Sequence, residues 1–306
     1  MKALVTGGAG FIGSHICSEL IRRGVQTIVL DDLSKGRAEN VPQGAQLVKG
    51  SVTDAEVLTA TIKGVDVVFH FAARVSARES LLTFHEDATT NIIGTLDIIS
   101  CCRDNGVGRI IYSSSAAVYE DPPAPVPMSE DSPIGPQTPY GISKLSGEMY
   151  VTTICPMFDL DYVVLRNFNV YGPGQIPDPY TGVVSIFVKN LLTGEPPVIF
   201  GNGEQVRDFV FIDDVVRASM LAMEADSVNF VVNIATGVPH SIKSLTRIIL
   251  DVMGSDLEPI YENAVEGDML CSLADTTRAR EVLNFTAEGQ LEEKVETIIN
   301  WLKPRL

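Results

Sequence analysis

The sequence predicts an α/β fold, a doubly wound parallel sheet followed by a smaller C-terminal lobe, on three observations. Apolar strand-like runs alternate with helical ones through the first half of the chain, the pattern that builds a parallel sheet with helices on both faces. The first strand-like run meets the first helical one at a glycine-rich turn, Thr6-Gly7-Gly8-Ala9-Gly10-Phe11-Ile12-Gly13. Beyond about Tyr171 the elements become shorter and more irregular. At 306 residues there is room for one large α/β domain with a sizeable core and a smaller appendage.

The elements follow in order. Lys2 to Thr6 is a short apolar run of buried-strand type, and Ser14 to Arg23 has helical spacing with Ile16, Leu20 and Ile21 on one face. Between them, Gly7 and Gly10 permit backbone angles and close approaches that a Cβ resists, and Gly13 lets the helix lie close to the strand. The free N-H groups and partial positive charge of the helix N-terminus then suit a pyrophosphate. The Gly-x-x-Gly-x-x-Gly spacing is one residue longer than the dinucleotide fingerprint Gly-x-Gly-x-x-Gly. Gln26 to Leu30 reads as the second strand, and Asp31 stands at its end, near the expected distance of about twenty residues. A carboxylate there accepts ribose hydroxyls and repels a 2′-phosphate, which favours NAD over NADP in a Rossmann-type fold.

Further strands are expected over Gln46 to Lys49, Asp66 to Phe71, Arg109 to Ser113 and Tyr162 to Leu165. Helices are expected over Ala55 to Ile62, Asp87 to Asn105 and Tyr140 to Cys155. The proline-rich segment Asp121 to Pro139 and the Gly/Pro run Tyr171 to Thr181 interrupt the alternation. Both read as loops, and loops at the carboxyl ends of parallel strands are where ligands bind. The expected division is an NAD-binding domain over residues 1–170, with about 205–235 returning to it, and a mainly substrate-binding lobe over 171–306.

Composition narrows the partners. A net charge of -16 argues against nucleic acid or an anionic membrane surface, while a few local arginines still suffice for an anionic small molecule. No apolar stretch is long enough to span a bilayer, and the fingerprint glycines stand where a signal peptide would carry its apolar core. Cys17, Cys101, Cys102, Cys155 and Cys271 are scattered and odd in number, which suggests reduced thiols in a cytoplasmic protein. His15, His70, His85 and His240 lack metal-ligand spacing, so no metal site is expected. His70, at a strand end, reads as a packed residue.

The chemistry is expected in two segments. Tyr140-Gly141-Ile142-Ser143-Lys144 opens a helix after Pro139, placing Tyr140 and Lys144 at i and i+4 on one face. A phenol with a reference pKa near 10 is a poor base at neutral pH, but a nearby ammonium and a cationic nicotinamide both favour its phenolate. Upstream, Ser113-Ser114-Ser115-Ala116-Ala117-Val118-Tyr119 follows an apolar strand, so a hydroxyl at its carboxyl end can share a substrate oxygen with Tyr140.

With these residues in place, the chain resembles the extended short-chain dehydrogenase/reductase superfamily, in particular its NAD-dependent nucleotide-sugar epimerases and dehydratases. The likeness extends to Asp31-Asp32-Leu33-Ser34, His70-Phe71-Ala72-Ala73, Asn91-Ile92-Ile93-Gly94-Thr95, the run Leu165 to Pro173, and Arg207-Asp208-Phe209-Val210. The resemblance implies that Gly7, Gly10, Phe11, Ile12, Gly13, Asp31, Asp32, Ser34, Ser51, Val52, Phe71, Ala72, Ala73, Asn91, Tyr140 and Lys144 hold NAD. It implies that Ser115, Tyr140 and Lys144 are catalytic, and that Ser115, Asn169, Arg207 and Ser272 meet the substrate, Arg207 at its diphosphate. It also implies a homodimer formed through the helices Asp87 to Asn105 and Tyr140 to Cys155.

Within the superfamily, dehydratases carry Asp-Glu after the catalytic hydroxyl, and decarboxylases keep a Glu in the second position. Here those positions are Ala116 and Ala117, which cannot move a proton. The pattern is similar to the C4 epimerases of the UDP-glucose/UDP-galactose 4-epimerase type, an isomerase chemistry that needs no second base. Three departures stand out. The family's Gly-Asp-Ile adenine stretch is Gly50-Ser51-Val52, and arginines usual in the late segment are replaced by Val265 and Leu270. Ser272 stands where a bulky tyrosine excludes N-acetylated sugars, so room for one is expected. The alternatives are a UDP-uronic acid 4-epimerase, a nucleotide-sugar dehydratase or reductase, and a non-enzymatic NAD-sensing module.

Overall fold

In the computed structural model, residues 1–122, 124–178, 182–264 and 269–306 are described. A seven-stranded sheet is built from β1 (Lys2–Thr6), β2 (Gln26–Asp31), β3 (Gln46–Lys49), β4 (Val67–His70), β5 (Arg109–Ser115), β6 (Asp161–Asn167) and β7 (Phe230–Ile234). Their spatial order is β7-β6-β5-β4-β1-β2-β3, and β1 to β5 pair in parallel. Strand order reverses at β1, between β2 and β4. In such sheets the crevice beyond the carboxyl ends of the strands at this switch point is where a dinucleotide binds.

Buried aliphatic strands explain this sheet. Leu4, Leu30, Val68 and Ile110 have no exposed surface beyond a trace and pack with Leu58, Ile98 and Tyr112 into one apolar cluster, as expected of strands covered on both faces. Four helices matter for the site: α1 (Phe11–Arg22), α2 (Ala55–Thr61), α3 (Gly94–Asn105) and α4 (Pro139–Ile154). α1 starts three residues earlier than its apolar spacing predicts, because Gly10 caps it in extended conformation directly after the turn. The single helix expected over Asp87 to Asn105 is instead three pieces. A short helix, Phe84–Ala88, runs into a π-helical turn, Thr89–Ile93, and then into α3. Periodicity cannot reveal this, since one extra residue in a turn keeps the segment helical while shifting its face. α4 begins at Pro139, whose missing N-H costs nothing at that position.

The chain forms two compact units. The first comprises residues 1–118, 136–166 and 216–232, and the second 119–135, 167–215 and 233–306. The returning segment is therefore shorter than the expected 205–235, because Phe209–Phe211 pairs with Asn169–Tyr171 in the second unit. Residues 119–135 also belong there, although position along the chain suggests the first. The Met128 N-H donates to the Leu273 carbonyl at 2.8 Å, and the Met128 carbonyl accepts from the Asp275 N-H at 2.9 Å. Within this unit a small sheet places Val206–Arg207 between His240–Ser241 and Cys271–Ser272.

Candidate active site

The glycine turn folds as its composition dictates. Gly7 has φ +70, and a Cβ there would lie 2.7 Å from the Ala72 backbone nitrogen, so only glycine allows the turn to sit against the end of β4. A Cβ at Gly13 would meet the Gly7 carbonyl oxygen, whereas one at Gly10 would meet nothing nearer than that oxygen at 3.2 Å. The turn is thus closed towards the protein and open on its Gly10 side, at the N-terminus of α1. Asp31 ends β2 and is buried. Its Oδ2 accepts the Ala9 N-H at 2.9 Å and its Oδ1 the Leu33 N-H at 2.9 Å. Burial raises its carboxyl above the ordinary value, against the lowering effect of these two bonds. Each oxygen keeps a lone pair for a ribose hydroxyl.

The other cofactor candidates of the first unit divide by exposure. Phe71, Ala72 and Ala73 are half-buried after β4, with the Ala72 N-H donating to Thr6 Oγ1 at 3.2 Å. Asp32 is exposed and accepts both the N-H and hydroxyl of Ser34. Ser51 shares a 2.8 Å hydrogen bond with Thr53, and Val52 is buried against Gly94. An open turn at a helix N-terminus, closed elsewhere by steric contact, with a buried acid one strand away, fits NAD.

The reactive hydroxyls meet because a glycine lets them. A Cβ at Gly141 would meet the Ala117 carbonyl oxygen, so the bare backbone of α4 rests on the segment following β5 and brings Tyr140 to Ser115. The Ala117 N-H donates to Ser115 Oγ at 3.2 Å, which leaves the serine proton to donate to Tyr140. Burial pushes the Tyr140 phenol up, the Ser115 hydrogen bond opposes it, and the Asp87 charge adds to the rise. The first turn of α4 is fully capped. The Tyr140 N-H donates to Ser80 Oγ at 3.1 Å and the Gly141 N-H to Thr138 Oγ1 at 3.2 Å.

One turn on, Lys144 is buried, with its ammonium 4.5 Å from the centroid of the Tyr112 ring, a cation–π distance. Burial lowers its pKa to about 8, opposed by Asp87 and Glu148. The Glu148 carboxylate is itself buried, held by Arg166 at 2.5 Å and by the Ser114 hydroxyl at 2.6 Å.

Asn91, a cofactor candidate by resemblance, lies on the π-helical turn with its side chain spent on the protein. Its amide N-H groups reach the Arg74 carbonyl at 3.0 Å, Asp87 Oδ2 at 3.1 Å and Ser143 Oγ at 2.9 Å, while its Oδ1 accepts the Arg74 N-H at 2.8 Å. It ties the loop after β4 to the helix carrying Tyr140. His70 packs between Thr6 and Thr95, at 2.7 and 3.0 Å, and its burial drives its pKa down to about 3. It is neutral and packed, as expected of a histidine at a strand end.

In the second unit the three substrate candidates adjoin one another. Arg207 and Ser272 are register partners in the small parallel pair, and Asn169 Nδ2 lies 3.5 Å from Ser272 Oγ and 3.0 Å from the Asp208 carbonyl. Asp208 itself is fully buried, accepting from Thr236, Gly237 and Ala274, and holds this corner together. Leu270 is exposed, its N-H donating to Asp121. Val265 lies outside the described residues. Sequence reading missed Ser80, Asp87 and Ser143. A visible signal was the polar row Asp87, Asn91, Thr95 at i, i+4 and i+8 on a segment of helical spacing.

A parallel sheet with an open glycine turn, a strand-end acid, and a tyrosine and lysine on a helix docked against a strand-end serine define an NAD-linked enzyme acting on a hydroxyl. The chain belongs to the NAD dependent epimerase/dehydratase family, which matches residues 3–235. It is 38% identical over 310 residues to the UDP-glucose 4-epimerase of Mycolicibacterium smegmatis, covering 99% of each chain. Its fold is similar to that of the Thermotoga maritima UDP-glucose 4-epimerase solved with UDP-glucose, at a TM-score of 0.97 and 40% identity over 100% of this chain and 99% of that one. The UDP-N-acetylglucosamine 4-epimerase of Methanobrevibacter ruminantium M1, in complex with UDP-N-acetylmuramic acid, is similar at a TM-score of 0.95 and 35% identity, with 100% and 99% covered.

Proposed function

We propose that this chain is an isomerase that inverts C4 of a UDP-hexose, in the simplest case UDP-glucose and UDP-galactose, through a transient 4-keto sugar. The observation that carries this reading is the pairing of Ser115 with Tyr140 on a segment continued by Ala116 and Ala117. Tyr140 removes the O4 proton and later returns it, and the Ser115 hydroxyl, set by the Ala117 N-H, steadies the phenolate and the sugar oxygen. Lys144 supplies positive charge one helical turn away. Bound NAD supplies the acceptor for the C4 hydride and its return to the opposite face. No acid or base stands at 116 or 117 to remove a C5 proton or expel water, so the chemistry stops at the keto sugar and reverses.

The test is proton NMR of the protein with NAD and, separately, UDP-glucose, UDP-GlcNAc and UDP-glucuronate. A C4 epimer formed at constant mass supports the reading, and a product of changed mass refutes it. Asn169, Arg207 and Ser272 are proposed to hold the substrate, with Arg207 at the diphosphate. Their adjacency in the second unit supports a shared role. The small side chain of Ser272 leads us to include N-acetylated substrates, so Ser272→Tyr should shift preference from UDP-GlcNAc towards UDP-glucose, read as a ratio of kcat/KM.

A homodimer is also proposed. Ile142, Met149 and Tyr150 expose 52%, 60% and 40% of their surface along one face of α4, and Ile93 precedes α3 with 48% exposed. An apolar helical stripe of this kind suits a second copy of the chain, and Met149→Glu should lower the mass measured by light scattering. Among the described residues all five cysteines are unpaired, which supports a reducing, cytoplasmic setting. No helix among them is long and apolar enough to cross a membrane.

A further inference from the structure

Lys144 is 3% exposed, and among the described residues no carboxylate forms an ion pair with its ammonium. What the ammonium meets directly is the face of the Tyr112 ring, with Nζ 4.5 Å from the ring centroid. Tyr112, from β5, is itself fully buried, and its hydroxyl donates to the Lys144 carbonyl at 3.2 Å. One tyrosine thus holds both ends of this lysine, the main chain through its oxygen and the ammonium through its ring. Gly147 makes room for this grip, because a Cβ there would overlap the Tyr112 hydroxyl. Burial alone does not require a phenol at this point in the strand, since Ile110 and Ile111 beside it are buried as fully with aliphatic side chains.

The preference for a ring over an acid follows from what a lysine one turn from Tyr140 has to do. A carboxylate in contact would keep the proton on Lys144 but cancel its field at the phenol. An aromatic face attracts the cation through its quadrupole and carries no net charge, so the ammonium is stabilised and its field is kept. The other titratable groups around Lys144 are Tyr140 and Glu148 on its own helix, His70 on β4, and Asp87 on the short helix before the π-helical turn. Glu148 is taken up by Arg166 and Ser114, His70 stays neutral, and Asp87 bonds Asn91. Tyr112 is pushed up by burial and stays protonated, so it adds no charge against the Tyr140 phenolate.

We propose that Tyr112 is a positioning residue of the active centre, whose ring face keeps the Lys144 side chain charged and in place one turn from Tyr140. The assignment rests on the proposed role of Lys144 in sugar epimerisation. Buried beneath the lysine, Tyr112 acts through Lys144 and not on the reacting atoms.

The test is NMR of the full-length protein carrying lysine isotopically labelled at Cε, with the Lys144 signal assigned by its loss in Lys144→Met. In the unmodified chain the Lys144 Cε protons should lie upfield of those of the surface lysines, moved by the ring current, and should titrate at about 8. Tyr112→Phe keeps the ring and should keep both the upfield position and the midpoint. Phenylalanine bearing one and then two ring fluorines at the same position keeps the size and weakens the quadrupole. The midpoint should then fall in steps, by about one pH unit in all, and the alkaline limb of kcat should follow it. Tyr112→Leu should lose the upfield position. An unmoved midpoint across the fluorinated series overturns the proposal, even where Tyr112→Leu fails to fold, and so does an upfield position that persists in a folded Tyr112→Leu. A graded midpoint in a protein that turns over no UDP-hexose leaves Tyr112 in its role and removes the epimerase reading instead.

Discussion

A phenol that must give up its proton near neutral pH sits where desolvation favours the protonated form, and only Ser115 opposes that from within hydrogen-bond reach. The remaining help comes from charge, first Lys144 and then the cationic nicotinamide, so Tyr140 is a base only in the loaded site. Tyr140→Phe should accordingly lower kcat by about a hundredfold to ten-thousandfold, the usual worth of a positioned acid/base, while the fold, read by circular dichroism, is kept. A variant that kept its rate would assign the proton transfer elsewhere. Tyr140, Lys144 and Ser115 were legible in the sequence because chemistry demands particular side chains at particular spacings. Ser80 was not, since a serine that caps a helix from sixty residues away leaves no local pattern, and Asp87 showed only as one member of the polar row with Asn91 and Thr95.

At the scale of elements, α4 is the part on which the site depends. Its start is specified by Thr138, whose side chain accepts from the Gly141 N-H, and by Pro139 in the first turn. Thr138→Ala should cost about 1 kcal/mol of stability, measured by urea unfolding, with little effect on kcat because Ser80 still holds the Tyr140 N-H. Gly141→Ala should behave in the opposite manner. The added Cβ meets the Ala117 carbonyl oxygen, α4 must move off the segment after β5, and kcat should fall far more than alanine's helix propensity alone would suggest. Strands were legible because buried parallel strands are apolar runs, and Lys2 to Thr6 emerged with unchanged ends. The π-helical turn at Thr89–Ile93 was not legible. It is the packing of Asn91 against Arg74, Asp87 and Ser143 that specifies it, and those partners come together only in the folded chain.

For the whole molecule, the buried lysine makes stability and activity respond to pH in opposite directions. Lys144 has its pKa lowered to about 8 in the folded protein, against roughly 10.4 for an unfolded lysine. Below pH 8 both states hold the proton, and the folded state bears the whole cost of burying the ammonium. Between the two values the unfolded chain binds more protons than the folded one, so the contribution of this residue to stability rises with pH. Over the same interval the ammonium that favours the Tyr140 phenolate is lost, and the rate should fall. Comparison with Lys144→Met isolates the effect, because tyrosines and cysteines titrate in both proteins. From pH 7.5 to 10, urea unfolding should show the unmodified chain gaining stability relative to the variant while its kcat declines. Parallel decline of both quantities would mean that Lys144 is solvated in the folded state, and the buried ammonium could then no longer explain the base at Tyr140.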